Sequence, residues 1–267
     1  MKRLIYTIIT AACIASCSVA PDSKKASIAV TLEPYRFAVE AIAGDNWEVI
    51  SIVPKGSSPE TFDLTPTQMI GLSKCNAYFS VGGLGFEDAW CKRIADAIPS
   101  LTIVDTSEGI ERIDSDPHLW TSPDNMAVIT TNICNAMCRI DSANRNAYTQ
   151  RLQRTLQMIN ETDSLIDNAI DGGCFVIFHP SLTYFARAYG LEQIVIEEHG
   201  KEPSVAHVKE VIDMARSHKA CKVLIQSEFD KSHATAIAKE IGCDIVQINP
   251  LNYNWQQEML QIAEKLK

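Results

Sequence analysis

The amino-acid sequence predicts an α/β protein of two lobes, each a mainly four-stranded parallel sheet flanked by helices, with one long spine helix joining them. Short apolar runs alternate with amphipathic stretches from Ser27 onward, which is typical of βαβ units. The strand-type runs form two matched groups, and a single long helical pattern separates them. The 267 residues, 46% of them hydrophobic, suffice for two modest cores or one large one.

Four short strands are expected in each half of the chain. In the first half the apolar runs lie at 27–32, 48–53, 77–81 and 101–105. In the second half they lie at 174–178, 193–197, 222–226 and 244–248. The stretches between them carry helical spacing, as expected of the crossover helices that parallel strands require.

The spine helix is predicted over residues 142–170. Its apolar side chains recur at intervals of three, four or seven residues, at Tyr148, Leu152, Leu156, Ile159, Ile166 and Ile170. A helix of this length spans roughly 40 Å at about 1.5 Å per residue, which is enough to cross both lobes. Because lobes fixed to one helix cannot hinge widely, we expect closure of small amplitude.

The first residues predict export and lipid attachment. Met1-Lys2-Arg3 precedes an apolar run at 4–14 and then Ala15-Ser16-Cys17, which is the order of a signal peptide. The end of this segment also resembles a bacterial lipobox, in which cleavage leaves a cysteine that carries the lipid. We therefore expect lipid on Cys17, with a plain cleaved signal as the alternative.

These features divide the chain into consecutive segments. They are a signal peptide at 1–16, the lipidated cysteine and a flexible tether at 17–27, an N-terminal lobe at 28–140, a linking helix at 141–171 and a C-terminal lobe at 172–267. No stretch after the signal suits a transmembrane helix. We expect a monomer anchored on the outer side of the bacterial cytoplasmic membrane or in the cell envelope or periplasm.

The charge balance argues against nucleic acid as a partner. Loss of residues 1–16 would remove Lys2 and Arg3 from the 24 basic side chains and leave all 33 acidic ones. A surface this acidic repels phosphate backbones and raises the local concentration of cations, although many exported proteins are acidic for solubility alone.

The nine cysteines do not form a thiolate zinc motif. Cys13 falls in the predicted signal and Cys17 is the expected lipid site, and the remaining seven are scattered without any CxxC pair. Cys134 and Cys138 lie one helical turn apart, but their apolar neighbours predict helix core.

Three polar side chains follow predicted strands, at the sheet edge where parallel α/β proteins bind ligands. Glu60 lies in a loop whose path is fixed by Gly56 and flanking prolines, His118 lies between a proline and bulky apolar residues, and His179 directly follows the buried-type strand at 174–178. Each has an ordinary structural explanation, as a solvated loop acid, a capping histidine or a loop histidine. Together they match the sets of two histidines and one carboxylate that hold Zn²⁺ and leave a fourth position open.

With these residues in place, the chain resembles the periplasmic or lipoprotein binding subunits of zinc and manganese ABC transporters over its whole mature length. The family's proline- and glycine-containing loop is similar to residues 54–66, its Asp-Pro-His-x-Trp motif to 116–120, and its His-x-x-x-x-Tyr-Phe-x-x-x-Tyr-Gly motif to 179–190. Segments 202–204 and 249–251 also resemble family motifs.

The resemblance implies an extracytoplasmic binding protein that captures a divalent transition metal between its lobes and delivers it to a membrane permease. It places the family's second and third histidine ligands on His118 and His179 and the first on Glu60, where carboxylate replaces imidazole. This exchange suits Zn²⁺ but is also compatible with Mn²⁺ or Fe²⁺. Manganese-type members have an aspartate where this chain has Asn249, so either Asn249 or water is the fourth ligand.

Two further expectations follow. No His-rich loop precedes His118, and His199, His207, His218 and His233 are predicted to be surface residues. Because protons compete with metal for imidazole and carboxylate, metal affinity should fall below a pH of about 6.5.

Two other classes of function compete with transport. A zinc hydrolase also uses two histidines and a carboxylate, but the sequence has no HExxH helix, GxSxG elbow or Walker-type loop, and neither Asp63 nor Glu198 is marked as a general base. A metal-dependent surface adhesin or scaffold is the second alternative.

Overall fold

The computed structural model describes residues 25–198, 200–220 and 222–267. The predicted signal peptide at 1–16, the lipid site Cys17 and most of the tether lie outside the described residues, as do His199 and Cys221. Among the described residues, no helix is both long enough and apolar enough to span a bilayer.

The N-terminal half alternates strands and helices. Its elements are β1 (Ala26–Val30), α1 (Glu33–Ala43), β2 (Trp47–Ser51), α2 (Pro66–Leu72), β3 (Ala77–Ser80), α3 (Gly85–Ala97), β4 (Thr102–Asp105) and α4 (Pro123–Ile140). The four strands are all parallel and lie in the order β2-β1-β3-β4.

The C-terminal half repeats the pattern after the long helix α5 (Arg145–Ala169). Its elements are β5 (Gly173–Ile177), α6 (Thr183–Ala188), β6 (Leu191–Val195), α7 (Val205–Ser217), β7 (Lys222–Gln226), α8 (Ser232–Ile241), β8 (Asp244–Ile248) and α9 (Trp255–Leu266). The parallel order β6-β5-β7-β8 matches that of the first sheet. The predicted fold class and all eight predicted strands are confirmed within the described residues.

The strand ends differ from the predictions by up to two residues. The largest shift is at β6, which was predicted at 193–197 and is observed at Leu191–Val195. The strand starts as soon as the chain leaves Gly190, whose φ of +63° makes the turn. The apolar pattern did not mark this start, because Leu191 is followed by the polar Glu192 and Gln193.

The spine helix is confirmed with a modified beginning. Residues Ser142–Asn144 form a 3₁₀ turn, and the α-helix runs from Arg145 to Ala169. Its buried stripe includes Thr155 and Thr162, whose hydroxyls donate to carbonyls one turn earlier and are thereby satisfied inside the helix. The helix packs against α1 and α4 of the first half and against α9 of the second, so it contacts elements of both halves.

The largest hydrophobic core of the described residues runs through both lobes and includes two tryptophans that are joined by a hydrogen bond. Trp120 Nε1 donates to Pro250 O at 2.8 Å, and Trp255 Nε1 donates to Trp120 O at 2.7 Å. Both tryptophan side chains are buried, and Phe37 stacks on Trp255 with ring centroids 6.5 Å apart. This interlobe contact holds the segment after β8 against the segment that carries His118. Cys134 and Cys138 are buried in the same core, as predicted.

Candidate metal centre

The loop that carries Glu60 is fixed at both ends. Where it leaves β2, Val53 N donates to Thr31 O at 3.1 Å. Where it enters α2, Thr65 and Gln68 form a reciprocal capping box, and Gln68 Nε2 also donates to Ile52 O at 2.7 Å. The loop between these anchors brings Glu60 to the cleft between the lobes with its side chain 35% exposed.

His118 is oriented by the residue two positions before it. Asp116 Oδ1 accepts hydrogen bonds from both His118 N, at 2.8 Å, and His118 Nδ1, at 2.7 Å. The carbonyl of His118 accepts from Thr121 Oγ1, and the ring lies 5.3 Å from that of Trp120. With Nδ1 facing a carboxylate, the lone pair of Nε2 is available for a metal.

His179 directly follows β5, as predicted, and is held in a similar way. Its carbonyl accepts from Gln226 Nε2 at 2.6 Å, and its ring stacks on Phe229 with centroids 5.3 Å apart. Glu197 Oε2 lies 2.9 Å from His179 Nδ1. The nitrogen has no well-aligned hydrogen-bond partner, so the contact with Glu197 is an ion pair when the ring is protonated.

The structure brings the three predicted ligands together. The two Nε2 atoms of His118 and His179 are 3.2 Å apart, and Glu60 Oε1 is 2.9 Å from His179 Nε2. Two nitrogens about 2.0–2.1 Å from one tetrahedral metal lie roughly 3.4 Å from each other, which agrees with this spacing. A cavity of about 10 Å³ lies beside the three side chains, which is room for about one water molecule or a single ion.

The same side chains face an open cleft of about 520 Å³ through which an ion can enter. Its lining includes four carboxylates, from Glu60, Asp114, Asp116 and Glu197. A concave surface lined mostly by one sign of charge raises the local concentration of the opposite ion. The cleft therefore favours approach of a cation.

In the metal-free protein, the carboxylates around His179 favour the protonated form of its ring. Burial alone would lower the pKa of His179, but the neighbouring Glu197 and Glu60 outweigh it and raise that pKa to about 9. Burial opposes ionisation of Glu60 and Asp116, yet contact with His179 and His118 respectively leaves the pKa of each carboxyl below its usual value. A divalent cation at the cluster would take the place of this proton.

Sequence reasoning missed two acids at this site. Glu197 contacts His179, and Glu228 lines both the small cavity and a neighbouring one that contains Asn249. Burial raises the pKa of Glu228. Both residues lie just past the carboxyl ends of β6 and β7. The strand-end argument that selected His179 could have selected Glu228, whereas Glu197 was the last residue of the strand predicted at 193–197.

Two of the four other histidines, His207 and His218, have side chains that the structure describes. His218 is exposed, as predicted, and His207 is half-buried with Nε2 3.2 Å from Val195 O. His199 and the side chain of His233 lie outside what is described.

Two parallel-sheet lobes joined by a spine helix, with two imidazoles and a carboxylate meeting at one point in the cleft between them, are the features of a binding protein for a metal ion. The family described as zinc-uptake complex component A, periplasmic, matches residues 28–267, and the chain belongs to that family. It is thus a substrate-binding protein of the metal-importing ABC transporter class and not an enzyme.

Individual relatives agree with this assignment. The crystal structure of ZnuA is 31% identical and superposes with a TM-score of 0.87, covering 91% of this chain and 98% of that one. A putative metal-binding protein of Chlamydia trachomatis is 26% identical, with 98% of both chains covered. The manganese-binding lipoprotein MntA of Halalkalibacterium halodurans is 24% identical over 91% of this chain and 85% of its own length.

Proposed function

We propose that this protein captures Zn²⁺ in the cleft between its lobes with Glu60, His118 and His179 and delivers it to a membrane permease. The observation that carries the proposal is the meeting of two imidazole nitrogens and a carboxylate oxygen from three separate segments, all within 4.8 Å of one another. Neutral imidazole and carboxylate are ordinary zinc ligands, and a three-ligand set leaves a position for exchange.

The outer carboxylates support this proposal. Asp116 contacts Nδ1 of His118 at 2.7 Å and Glu197 contacts Nδ1 of His179 at 2.9 Å, so both rings present Nε2 to the ion. Such partners fix the tautomer and make the imidazole a better donor. The ligand groups are thereby oriented before the metal arrives, which lowers the cost of binding.

Zn²⁺ is proposed as the ion on the basis of the two histidines. Imidazole favours later transition metals, whereas Mn²⁺ prefers sites richer in oxygen. Glu60 and the surrounding acids bring hard oxygen and negative charge, which makes the site compatible with Mn²⁺ and Fe²⁺ as well. Because two of the three proposed ligands are imidazoles, we expect these ions to bind more weakly than Zn²⁺. We propose water as the fourth ligand, since Asn249 lines the neighbouring cavity together with Glu33 and Lys55.

Release to the permease is expected without a wide opening of the lobes. The interlobe tryptophan pair, the stacked Phe37 and the spine helix all join the two halves. Metal exchange is then proposed to occur by movement of the loop that carries Glu60. Small-angle scattering of metal-free and metal-loaded protein should give the same radius of gyration, and a clear compaction on loading would contradict this.

We also propose that Cys17 carries a lipid and that the protein acts as a monomer outside the cytoplasmic membrane. The lipobox-like sequence before Cys17 supports anchoring, and several relatives are named lipoproteins. Replacement by Cys17→Ser should move the protein from the membrane fraction to the soluble fraction. Retention of the variant in the membrane would contradict lipid attachment at this residue.

The decisive experiment measures bound metal by elemental analysis in protein purified without chelator. The variants Glu60→Ala, His118→Ala and His179→Ala should each lose most of the metal, while His207→Ala serves as the matched control. Circular dichroism checks that each variant is folded. Unchanged stoichiometry in all three variants would rule out this site.

A further inference from the structure

A second group of metal-ligating side chains lies at the opposite end of the C-terminal sheet. Cys174 is the second residue of β5, and His179 follows the other end of that strand. The five-residue separation corresponds to roughly 16 Å at about 3.3 Å per residue. The Cys174 group is therefore a separate location and shares no residue with the cleft.

The sheet register places Cys174 beside Glu192. The two residues are direct partners in the parallel β5–β6 pair, so their side chains lie on the same face. Alternation puts Val176 and Ile194 on that face too, and both belong to the core beneath α7 and α8. Cys174 packs against the edge of this core and is half-buried.

The third member comes from the end of α7. His218 caps this helix, with its backbone N donating to Met214 O at 2.9 Å, and its Nδ1 makes a short contact with Glu192 Oε2. The carboxyl end of a helix carries a partial negative charge that favours a cation. Cys174 Sγ, a carboxylate oxygen of Glu192 and a ring nitrogen of His218 all lie within 4.8 Å of one another.

We propose that Cys174, Glu192 and His218 form a second site for Zn²⁺, with water completing the tetrahedron. Ligand atoms around one tetrahedral zinc lie roughly 3.3–3.8 Å apart, so the exposed side chains of Glu192 and His218 need to move by only about 1 Å to meet the ion. The thiol gives its proton to solvent on binding, and the His218 ring binds in its neutral form.

The donor set distinguishes this second site from the first. A thiolate favours Zn²⁺ over Mn²⁺ more strongly than imidazole and carboxylate do. We therefore expect Zn²⁺ to bind at both places and Mn²⁺ to bind only in the cleft. This inference does not depend on the proposed function of the cleft.

Co²⁺ in place of Zn²⁺ tests the second site by a signal that the cleft cannot produce. A Co²⁺–thiolate bond gives an intense near-ultraviolet charge-transfer band, and the proposed cleft ligands contain no sulfur. Reduced wild-type protein should show this band and bind two equivalents of Co²⁺. The triple variant Glu60→Ala/His118→Ala/His179→Ala should keep the band and bind one equivalent.

Two variants and a control assign the band to these residues. Cys174→Ser should abolish it and leave one equivalent bound, and His218→Ala, at an exposed position, should weaken or abolish it. Cys91→Ser, at a half-buried thiol on α3, should leave it unchanged. A wild-type protein without the band, or a band that persists at full intensity in Cys174→Ser, would overturn the proposal.

Discussion

The two ends of the C-terminal sheet each present a histidine beside a carboxylate, but the arrangements differ. The side chain of His179 is 7% exposed, whereas that of His218 is 43% exposed. Glu197 contacts His179 through Nδ1 and leaves Nε2 to face the cleft. Glu192 contacts His218 as its proposed co-ligand, and it is the only carboxylate in an ion pair with this ring among the residues that the structure describes.

This difference predicts two unequal sites. In the cleft, burial and the outer carboxylates orient the proposed ligands before the ion arrives, so little rearrangement is needed. At the Cys174 end of the sheet, the exposed pair of Glu192 and His218 has to rearrange to bind a metal ion, and solvent screens the charges. We expect tight binding in the cleft and weaker, thiolate-dependent binding at Cys174.

The largest effect is expected from removing a ligand in the cleft. His179→Ala should weaken Zn²⁺ binding by more than about 100-fold, beyond the 10–100-fold range of outer-sphere changes. Competition titration against a chromogenic chelator measures the change. His218→Ala should leave the high-affinity step intact, and an equal loss in both variants would contradict the ranking of the two sites.

The pH dependence of binding should be nearly as large. Because the pKa of His179 is raised to about 9 in the metal-free protein, metal must displace a proton at any lower pH. Zn²⁺ affinity should therefore decrease about tenfold per pH unit from 9 toward 7. Binding that is independent of pH over this range would contradict coordination by His179.

The stability of the metal-free protein should change in the opposite direction. A folded-state pKa above the unfolded value of about 6.5 gives stabilisation that is complete below pH 6.5 and is lost as the pH rises through 9. The pKa values of Glu60 and Asp116 are lowered in the folded protein, so both groups stabilise the fold at a pH above their unfolded pKa values. This stabilisation is lost as the pH falls through the lowered pKa values. Thermal melts of the metal-free protein should thus show a decreasing Tm from pH 6.5 to 9.

Removal of the outer carboxylates should give an intermediate effect. Asp116→Ala leaves the Nδ1 of His118 without its 2.7 Å partner and should weaken Zn²⁺ binding by about 10–100-fold. Glu197→Gln, which keeps the shape but removes the charge beside His179, should fall in the same range or below it. Asp96→Asn, at an exposed position on α3, is the control, and isothermal titration measures all three.

These residues also show how far the sequence predicts the site. Glu60, His118 and His179 follow strands whose apolar character is evident in the sequence, and parallel topology then brings their segments to one edge. Glu228 follows β7 in the same way, but a single acid after a strand has many solvated counterparts. Glu197 was hidden because the strand was predicted to run to 197, whereas β6 ends at Val195. That Glu197 faces Nδ1 of His179 depends on packing between β5 and β6, which no local pattern encodes.

The pairing of Cys174 with His218 was even less accessible to sequence reasoning. Forty-four positions separate them in the chain, and the absence of any CxxC motif argued against thiolate ligands. Their proximity arises because α7 crosses back over β5 and β6 and ends above the first residues of both strands. Motif spacing finds ligands that share one element, whereas this group is assembled from three.

The smallest effect is expected at Asn249, and it sharpens the description of the cleft. Its backbone N is held by Glu258 Oε1 at 2.7 Å, and this contact survives truncation of the side chain. If water is the fourth ligand, Asn249→Ala should change Zn²⁺ affinity by less than about threefold, within the range of surface substitutions. A loss of tenfold or more would instead assign the fourth position to the amide oxygen, and the C-terminal lobe would then supply two ligands instead of one.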